Sequence, residues 1–340
     1  MILIISSMDD LSTNDVIDWL RYYNEEYLRI SEFDEILYDR VIITNKRFEV
    51  ILKINDVVYQ LSNFKGFWYR RSHFKLFFKG LEIKSKLDKE LNRHLFTEAH
   101  EIHKLVKTYI EIRSINKQDD IYLNKLDVLR AASELGIKIP NSIVTNNKKD
   151  LMVFYNENKQ LITKNFSQGI FVKYRGMNLG SSTKFVDSKV IEDLPDLFHY
   201  SLFQEMINKL FEVRVFFINN QYYASAIFSQ NSEKTKLDFR NYDRNKPNRT
   251  PPFKLPKNTL EKLKLLMKEI NINSGSIDLI VSTSEEFIFL EVNPIGQFSQ
   301  VSLPCNYYLE KEIAKQLINN KNGFNKVQKS STYNKSSNVL

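Results

Sequence analysis

Gly275-Ser276-Ile277-Asp278-Leu279-Ile280, followed after a short polar turn by Phe289-Leu290-Glu291-Val292-Asn293-Pro294, sets two carboxylates and an amide among alternating apolar residues. Successive side chains of a strand point to opposite faces. Residues 277–281 and 287–292 therefore predict an antiparallel hairpin, with Asp278 turned away from Ile277 and Leu279. Glu291 and Asn293 share one face, and Leu290 and Val292 take the other. Pro294 fixes the strand exit, because a proline restricts the residue before it. Two carboxylates and one amide oxygen are gathered on an otherwise apolar hairpin. Burying such carboxylates together costs desolvation and repulsion. Mg²⁺ favours oxygen ligands of this kind and can bridge phosphates at the same time. The competing reading is a solvent-facing hairpin edge, where Asp and Glu are common.

Other residues extend the pattern. Lys125 begins a helix expected over residues 125–135, and Lys164 ends an apolar strand over 161–164. Either ammonium can pair with phosphate oxygens, or simply face solvent. Phe203-Gln204-Glu205-Met206-Ile207 reads as a strand leading into a connector. A connector of this kind can offer backbone groups to adenine while apolar residues cover the ring. Glu212, Arg214 and Phe216 share a strand face. Glu212 can bind ribose hydroxyls, and Arg214 can hold a phosphate or carboxylate in its guanidinium fork. The alternative is a surface Glu–Arg pair of little energetic weight.

Common phosphate motifs are missing from the sequence. Gly176-Met177-Asn178-Leu179-Gly180-Ser181-Ser182 lacks the lysine of a P-loop. No Gly-x-Gly-x-x-Gly signature and no kinase motifs occur. His100-Glu101-Ile102-His103 is one residue short of a zinc-protease helix, and no third ligand is evident. A structural or surface role is expected for both histidines.

Outward from these motifs, Met1-Ile2-Leu3-Ile4-Ile5 reads as a buried strand, followed by a helix over 13–23. Strands are expected at 41–44, 50–54 and 57–61, with Asn55-Asp56 as a turn. Leu91, Leu95, Ala99, Ile102, Leu105, Val106 and Tyr109 recur at helical spacing and predict a long helix within 81–112. Gly136 ends the helix that starts near Lys125, and Pro140 opens an extended segment. Strands over 161–164 and 169–173 precede a flexible loop marked by Gly176 and Gly180. Residues 212–217 and 222–228 form a hairpin about Asn219-Asn220. Residues 238–256, with four prolines, make a lid-like loop. Helices follow at 260–270 and 308–317.

These elements predict α/β and α+β architecture in four parts: 1–115, 116–200, 201–320, and a disordered tail over 321–340 that is rich in Lys, Asn and Ser. The 340-residue length suits two or three domains, and 42% hydrophobic with 26% charged residues fits a globular chain. One cysteine, Cys305, excludes an internal disulfide framework and a multi-cysteine zinc site. No signal peptide or run of 18 apolar residues is found, so a cytoplasmic protein with no membrane partner is expected. The net charge of +8 suits an acidic peptide, nucleotide phosphates, or plain solubility. No nucleic-acid recognition motif accompanies it.

The residues assembled here resemble the ATP-grasp family, and especially the ATP-grasp enzymes that mature graspetides, including the type paired with a SPASM-domain partner. The resemblance lies in Phe203-Gln204-Glu205-Met206 through Glu212-Val213-Arg214-Val215, in Asp238-Phe239-Arg240, and in Gly275-Ser276-Ile277-Asp278 through Glu291-Val292-Asn293-Pro294-Ile295-Gly296-Gln297. Phe67-Trp68-Tyr69-Arg70-Arg71 resembles a motif of their N-terminal domain, and similarity covers about residues 1–320. Phe239 stands where this subgroup often has Trp.

The resemblance implies an ATP-grasp fold with an N-terminal pre-ATP-grasp α/β domain. It implies ATP and Mg²⁺ as cofactors, with Lys125 and Lys164 on the phosphates. Gln204, Glu205, Met206 and Ile207 become the adenine connector, with Glu212 at the ribose. Asp278, Glu291 and Asn293 become metal ligands, and Arg214 and Arg240 the catalytic arginines near the acyl phosphate. The implied reaction is macrocyclisation of a ribosomal precursor peptide. Its Asp or Glu side chains become acyl phosphates and join Ser or Thr hydroxyls as esters, or Lys amines as amides. Implied partners are that peptide's leader and core, a SPASM-domain maturation protein, and a second copy in a homodimer. Residues 104–117, with Lys104, Lys107, Arg113 and Lys117, are a candidate leader contact. Two other functions share much of this reading: an amino-acid ligase adding a free amino acid to a carboxylate, and a non-catalytic peptide-binding protein.

Overall fold

The computed structural model describes residues 1–167, 169, 171–180, 182–230, 235 and 245–319. The chain folds into two compact units. One is Met1–Asp120 joined by the described residues from Tyr308 onward; the other is Ile121–Tyr307.

The first unit is built on a parallel sheet, in the order Tyr27–Ile30, Ile2–Ile5, Gly66–Tyr69, Ser114–Ile115. Ile2–Ile5 lies inside it and is wholly buried. A parallel strand covered on both faces reads as an unbroken apolar run, which explains the opening Ile-Leu-Ile-Ile. The helices Leu11–Tyr22 and Leu309–Ile318 pack against each other, and the second also packs on Gly66–Tyr69. A Cβ on Gly66 would sit 2.6 Å from the Leu317 carbonyl oxygen, so only glycine allows this approach.

An antiparallel sheet of Ile36–Ile43, Phe48–Ile54 and Val57–Gln60 follows. Its second turn, Asn55-Asp56, has φ of 46° and 67°, as a two-residue hairpin loop requires. The long helix runs from Lys86 to Glu111, and its N-cap Ser85 accepts from the Asp88 amide. His103 lies in this helix and stacks on Phe74, 5.9 Å between centroids. Lys104 and Lys107 pair with Glu101 and Asp119.

Two buried carboxylates of this unit behave oppositely. Burial opposes ionisation of Asp10, but Arg70 and the Thr13 and Ser12 hydroxyls outweigh it and hold the carboxyl below its ordinary range. Burial pushes Asp120 up to about 6. Between roughly pH 4 and that value the folded chain keeps a proton that the unfolded chain has lost, so stability falls as pH rises. Asn at this position can still accept from the Lys117 amide, 2.7 Å from Oδ2. Asp120→Asn is therefore expected to flatten stability between pH 4 and 6 in denaturant titrations. A slope unchanged by the substitution would contradict this.

The second unit holds two antiparallel sheets. The four-stranded one has the order Lys184–Val186, Leu161–Lys164, Leu197–Glu205, Ser142–Asn147. Leu151, Leu161, Val186, Ile191 and Phe203 form its core. The five-stranded one has the order Pro252–Phe253, Gln221–Ile227, Lys209–Ile218, Ser274–Ser282, Phe287–Asn293. The helices Lys125–Glu134 and Lys257–Glu269 share the core of this second sheet with Val213, Val215, Phe217, Ile277, Leu279, Phe289 and Val292. The opposite face carries the polar residues of interest.

Several expectations change in detail. The expected loop at Gly176 and Gly180 is instead a hairpin. Phe171–Tyr174 pairs with Met177–Gly180, and Arg175-Gly176, with φ of 48° and 77°, makes the turn. The helices Lys148–Asn158 and Ser299–Cys305 were not expected. In the first, five consecutive apolar residues, Leu151 to Tyr155, hide the helical period. The second contains Pro304, which masks its helical character. Leu197–Glu205 crosses position 201 yet belongs wholly to the four-stranded sheet, and Leu309–Ile318 belongs with the first unit. The tail over 321–340 lies outside the described residues. No helix among the described residues is long and apolar enough to cross a membrane.

Candidate active site

Within the second unit the two sheets enclose a cleft. One side is lined by Pro140, Ile162, Lys164, Gln204, Glu205 and Ile207. The other is lined by Glu212, Arg214, Asp278, Ile280, Leu290 and Glu291. A largely apolar wall with a few converging charges suits a nucleotide.

The charged floor follows from strand register. Arg214 lies opposite Asp278 on one side, and Asp278 lies opposite Glu291 on the other. Directly opposed residues of antiparallel strands share a face. Arg214 Nη1 donates to Asp278 Oδ1 at 2.8 Å and to Oδ2 at 3.0 Å. Its Nη2 donates to the Gln297 carbonyl at 3.2 Å. Lys125 does not line the cleft; its Nζ reaches Glu291 Oε2 at 3.0 Å. Asn293 Nδ2 donates to Glu291 Oε1 at 3.1 Å. Two buried carboxylates are thus each paired with a cation, as burial demands.

Two β-bulges aim these groups. Asp278 pairs with Glu291 while Leu279 pairs with Phe289, so Leu290 is the extra residue. Phe289 can then enter the core although it stands two residues from Glu291. Leu290, expected on the face away from Glu291, lines the cleft beside it. A second shift falls between Lys209 and Phe211. It brings Lys209 onto the side of Glu212, where the two form a buried ion pair.

The Pro294–Gln297 turn is held close to the sheet. Ser276 Oγ donates to the Gln297 carbonyl at 3.1 Å. A Cβ on Gly296 would lie 2.6 Å from Ser276 Cβ, and one on Gly275 would lie 2.8 Å from the Asn293 carbonyl. Glycine at both positions lets Asn293 sit against the strand that carries Asp278.

At the other end, Gln204 is buried; its Nε2 donates to Ser142 Oγ at 2.8 Å. Its Oε1 has no donor among the described residues. The Glu205 amide donates to the Asn141 carbonyl and the Met206 amide to the Gln160 carbonyl. Ile207 faces the cleft, whereas Met206 does not line it. Arg240, with Asp238 and Phe239, lies outside the described residues.

The structure therefore brings Lys164, Gln204, Glu205, Ile207, Glu212, Arg214, Asp278 and Glu291 to one cleft, with Lys125 and Asn293 attached through Glu291. Sequence reasoning missed Lys209, Ile162, Ile280 and the Ser276–Gly296 contact. The one signal available for Ile280 was its place two residues after Asp278 on the same strand face. Lys209 gave none, because a bulge moves it.

No family model matches the chain, and no curated protein matches it. Solved structures do. A RiPP-associated ATP-grasp ligase from Chryseobacterium gregarium, in complex with ADP and a leader and core peptide, is 24% identical. It matches with a TM-score of 0.74 over 93% of this chain and 96% of that one. The macrocyclase MdnC from Microcystis aeruginosa, bound with precursor peptide MdnA, is 25% identical, with a TM-score of 0.70 over 94% of this chain and 99% of that one. The ATP-grasp ligase PsnB, complexed with a minimal precursor, Mg and ADP, is 16% identical, with a TM-score of 0.65 over 94% and 96% of the two chains. With its two-sheet cleft and its N-terminal parallel sheet, this chain has the ATP-grasp fold, extended by an N-terminal α/β unit.

Proposed function

We propose that this protein uses Mg-ATP to activate side-chain carboxylates of a ribosomal precursor peptide and to close them into macrocycles. The observation that carries this reading is the direct opposition of Asp278 and Glu291 on the cleft-facing side of one sheet. Matched proteins hold ADP, Mg and precursor peptides, which supports the same ligands here.

The residues present fit those ligands. The unmatched Gln204 Oε1 can accept from the adenine amino group. Because the Glu205 and Met206 amides are already used, the Ile207 amide is the connector donor that remains to meet the ring. Glu212 can accept from ribose hydroxyls, with Lys209 holding its carboxylate in place. Lys164 and Lys125 supply positive charge for phosphate oxygens.

Asp278, Glu291 and Asn293 would hold Mg²⁺, which when bound neutralises charge on the phosphates. Asn293 now offers an amide NH₂ toward Glu291; a half-turn of the amide presents its oxygen instead. Arg214 stays on Asp278 and faces the cleft, where it can steady the transferring phosphoryl group or the acyl phosphate. A peptide carboxylate attacks the γ-phosphorus and ADP leaves. A hydroxyl or amine of the same peptide then attacks the acyl carbon, and phosphate leaves. By its resemblance to the family motif Arg240 would act on that intermediate, with esters as the favoured product.

The test is incubation of the enzyme and Mg-ATP with a candidate precursor peptide, a leader followed by a core with spaced Asp or Glu and Ser, Thr or Lys. Loss of one water per ADP formed supports the reading. A product heavier than the peptide identifies an amino-acid ligase, and unchanged peptide with no ADP identifies a binding protein.

A homodimer belongs to the same proposal, and the long helix supports it. Leu91, Glu98, Leu105 and Ile112 fall seven apart, as do Leu95, Ile102 and Tyr109. This is coiled-coil spacing, and Leu91, Ile102, Leu105 and Ile112 are exposed. Leu105→Glu should convert a dimer to a monomer by light scattering. A dimer that persists places the contact elsewhere.

A further inference from the structure

Two cations paired with the floor carboxylates are held in different ways. Arg214 grips Asp278 with two hydrogen bonds, is tied to the Gln297 carbonyl, and has a side chain only 7% exposed. Lys125 makes one contact to Glu291, and its side chain is 29% exposed. A guanidinium fork with three bonds resists displacement, whereas an ammonium on a four-carbon stem swings readily.

The base of that stem is fixed. Lys125 is the first residue of the helix Lys125–Glu134, whose N-cap Asn124 accepts from the amides of Leu126 and Asp127. Val128, Leu129, Ala131 and Ala132 anchor this helix in the core behind the sheet. Motion is therefore confined to the side chain.

We infer that Lys125 is an exchangeable counter-ion, which neutralises Glu291 until a divalent cation replaces it and which then moves to the nucleotide phosphates. This rests on the metal assignment above and adds a consequence to it. Without nucleotide, a metal ion must displace the ammonium from Glu291 and leave it with no anionic partner. With nucleotide present, the phosphates receive the displaced ammonium. Metal and nucleotide thus bind cooperatively through one side chain, and by linkage each raises the other's affinity by the same factor. Arg214 has no such part, since it keeps Asp278 throughout.

The experiment measures Mn²⁺ binding by electron paramagnetic resonance, with and without ADP, in the wild type, Lys125→Met and Lys125→Arg. Lys125→Gln serves as a second neutral variant if the methionine variant folds poorly. The neutral variants should bind Mn²⁺ without ADP about tenfold more tightly than wild type, and the coupling between Mn²⁺ and ADP should shrink by about the same factor, within the usual span of such couplings. Lys125→Arg, whose guanidinium resists displacement, should bind Mn²⁺ without ADP more weakly than wild type. If a folded neutral variant binds Mn²⁺ without ADP no more tightly than wild type, the exchange is refuted while the metal site stands. If no protein binds Mn²⁺ even with ADP, both the exchange and the metal assignment fall.

Discussion

Glu291→Gln is expected to lower peptide-dependent ADP formation by roughly 10²–10³-fold, the loss typical of removing one preorganised transition-state-stabilising group. The glutamine keeps the shape of the side chain and an acceptor for Asn293 Nδ2, which now donates to Glu291 Oε1. Lys125 loses its charged partner but can reach water. The unfolding midpoint should therefore change little. A large loss of turnover with a preserved midpoint assigns the carboxylate to chemistry. Normal macrocyclisation by this variant would remove Glu291 from the metal site.

Arg214→Met should fail differently, losing stability and turnover together. Its guanidinium lies beside Asp278 in a buried, doubly hydrogen-bonded pair. Breaking such a pair from one side costs roughly 3–5 kcal/mol. It also leaves Ser276 Oγ to hold the Gln297 carbonyl without Arg214. Denaturant titration should show the lower midpoint, and turnover should fall even at temperatures where the variant is folded. Asp278→Asn, which keeps acceptor capacity for the arginine, should be the milder change in stability. If Arg214→Met is as stable as wild type, the pair does not hold the sheet as described.

Much of the scaffold was legible because its local chemistry is strong. Ile-Leu-Ile-Ile announced a strand buried on both faces, Asn55-Asp56 and Asn219-Asn220 announced two-residue turns, and Gly136 ended its helix with φ of +67°. The long helix showed itself by periodicity. The hairpin of Asp278 and Glu291 was legible for the same reason, since an alternating pattern gives faces directly.

What could not be read was set by backbone irregularity and by distance in the chain. A bulge at Leu290 sends Phe289 to the core and Glu291 to the cleft, which strict alternation forbids. The shift near Leu210 turns Lys209 toward Glu212 in the same way. Lys125 and Glu291 are 166 residues apart, so nothing local could show that they touch. The connector was found as a strand end, yet the use of its first two amides depends on Asn141 and Gln160, which no motif marks.

The most direct measurement is anomalous diffraction from crystals of the protein grown with Mn²⁺ and ADP. A peak is expected within coordinating distance of oxygens of Asp278, Glu291 and Asn293 and beside the β-phosphate. A peak at the nucleotide with those three side chains turned away from it would contradict the account.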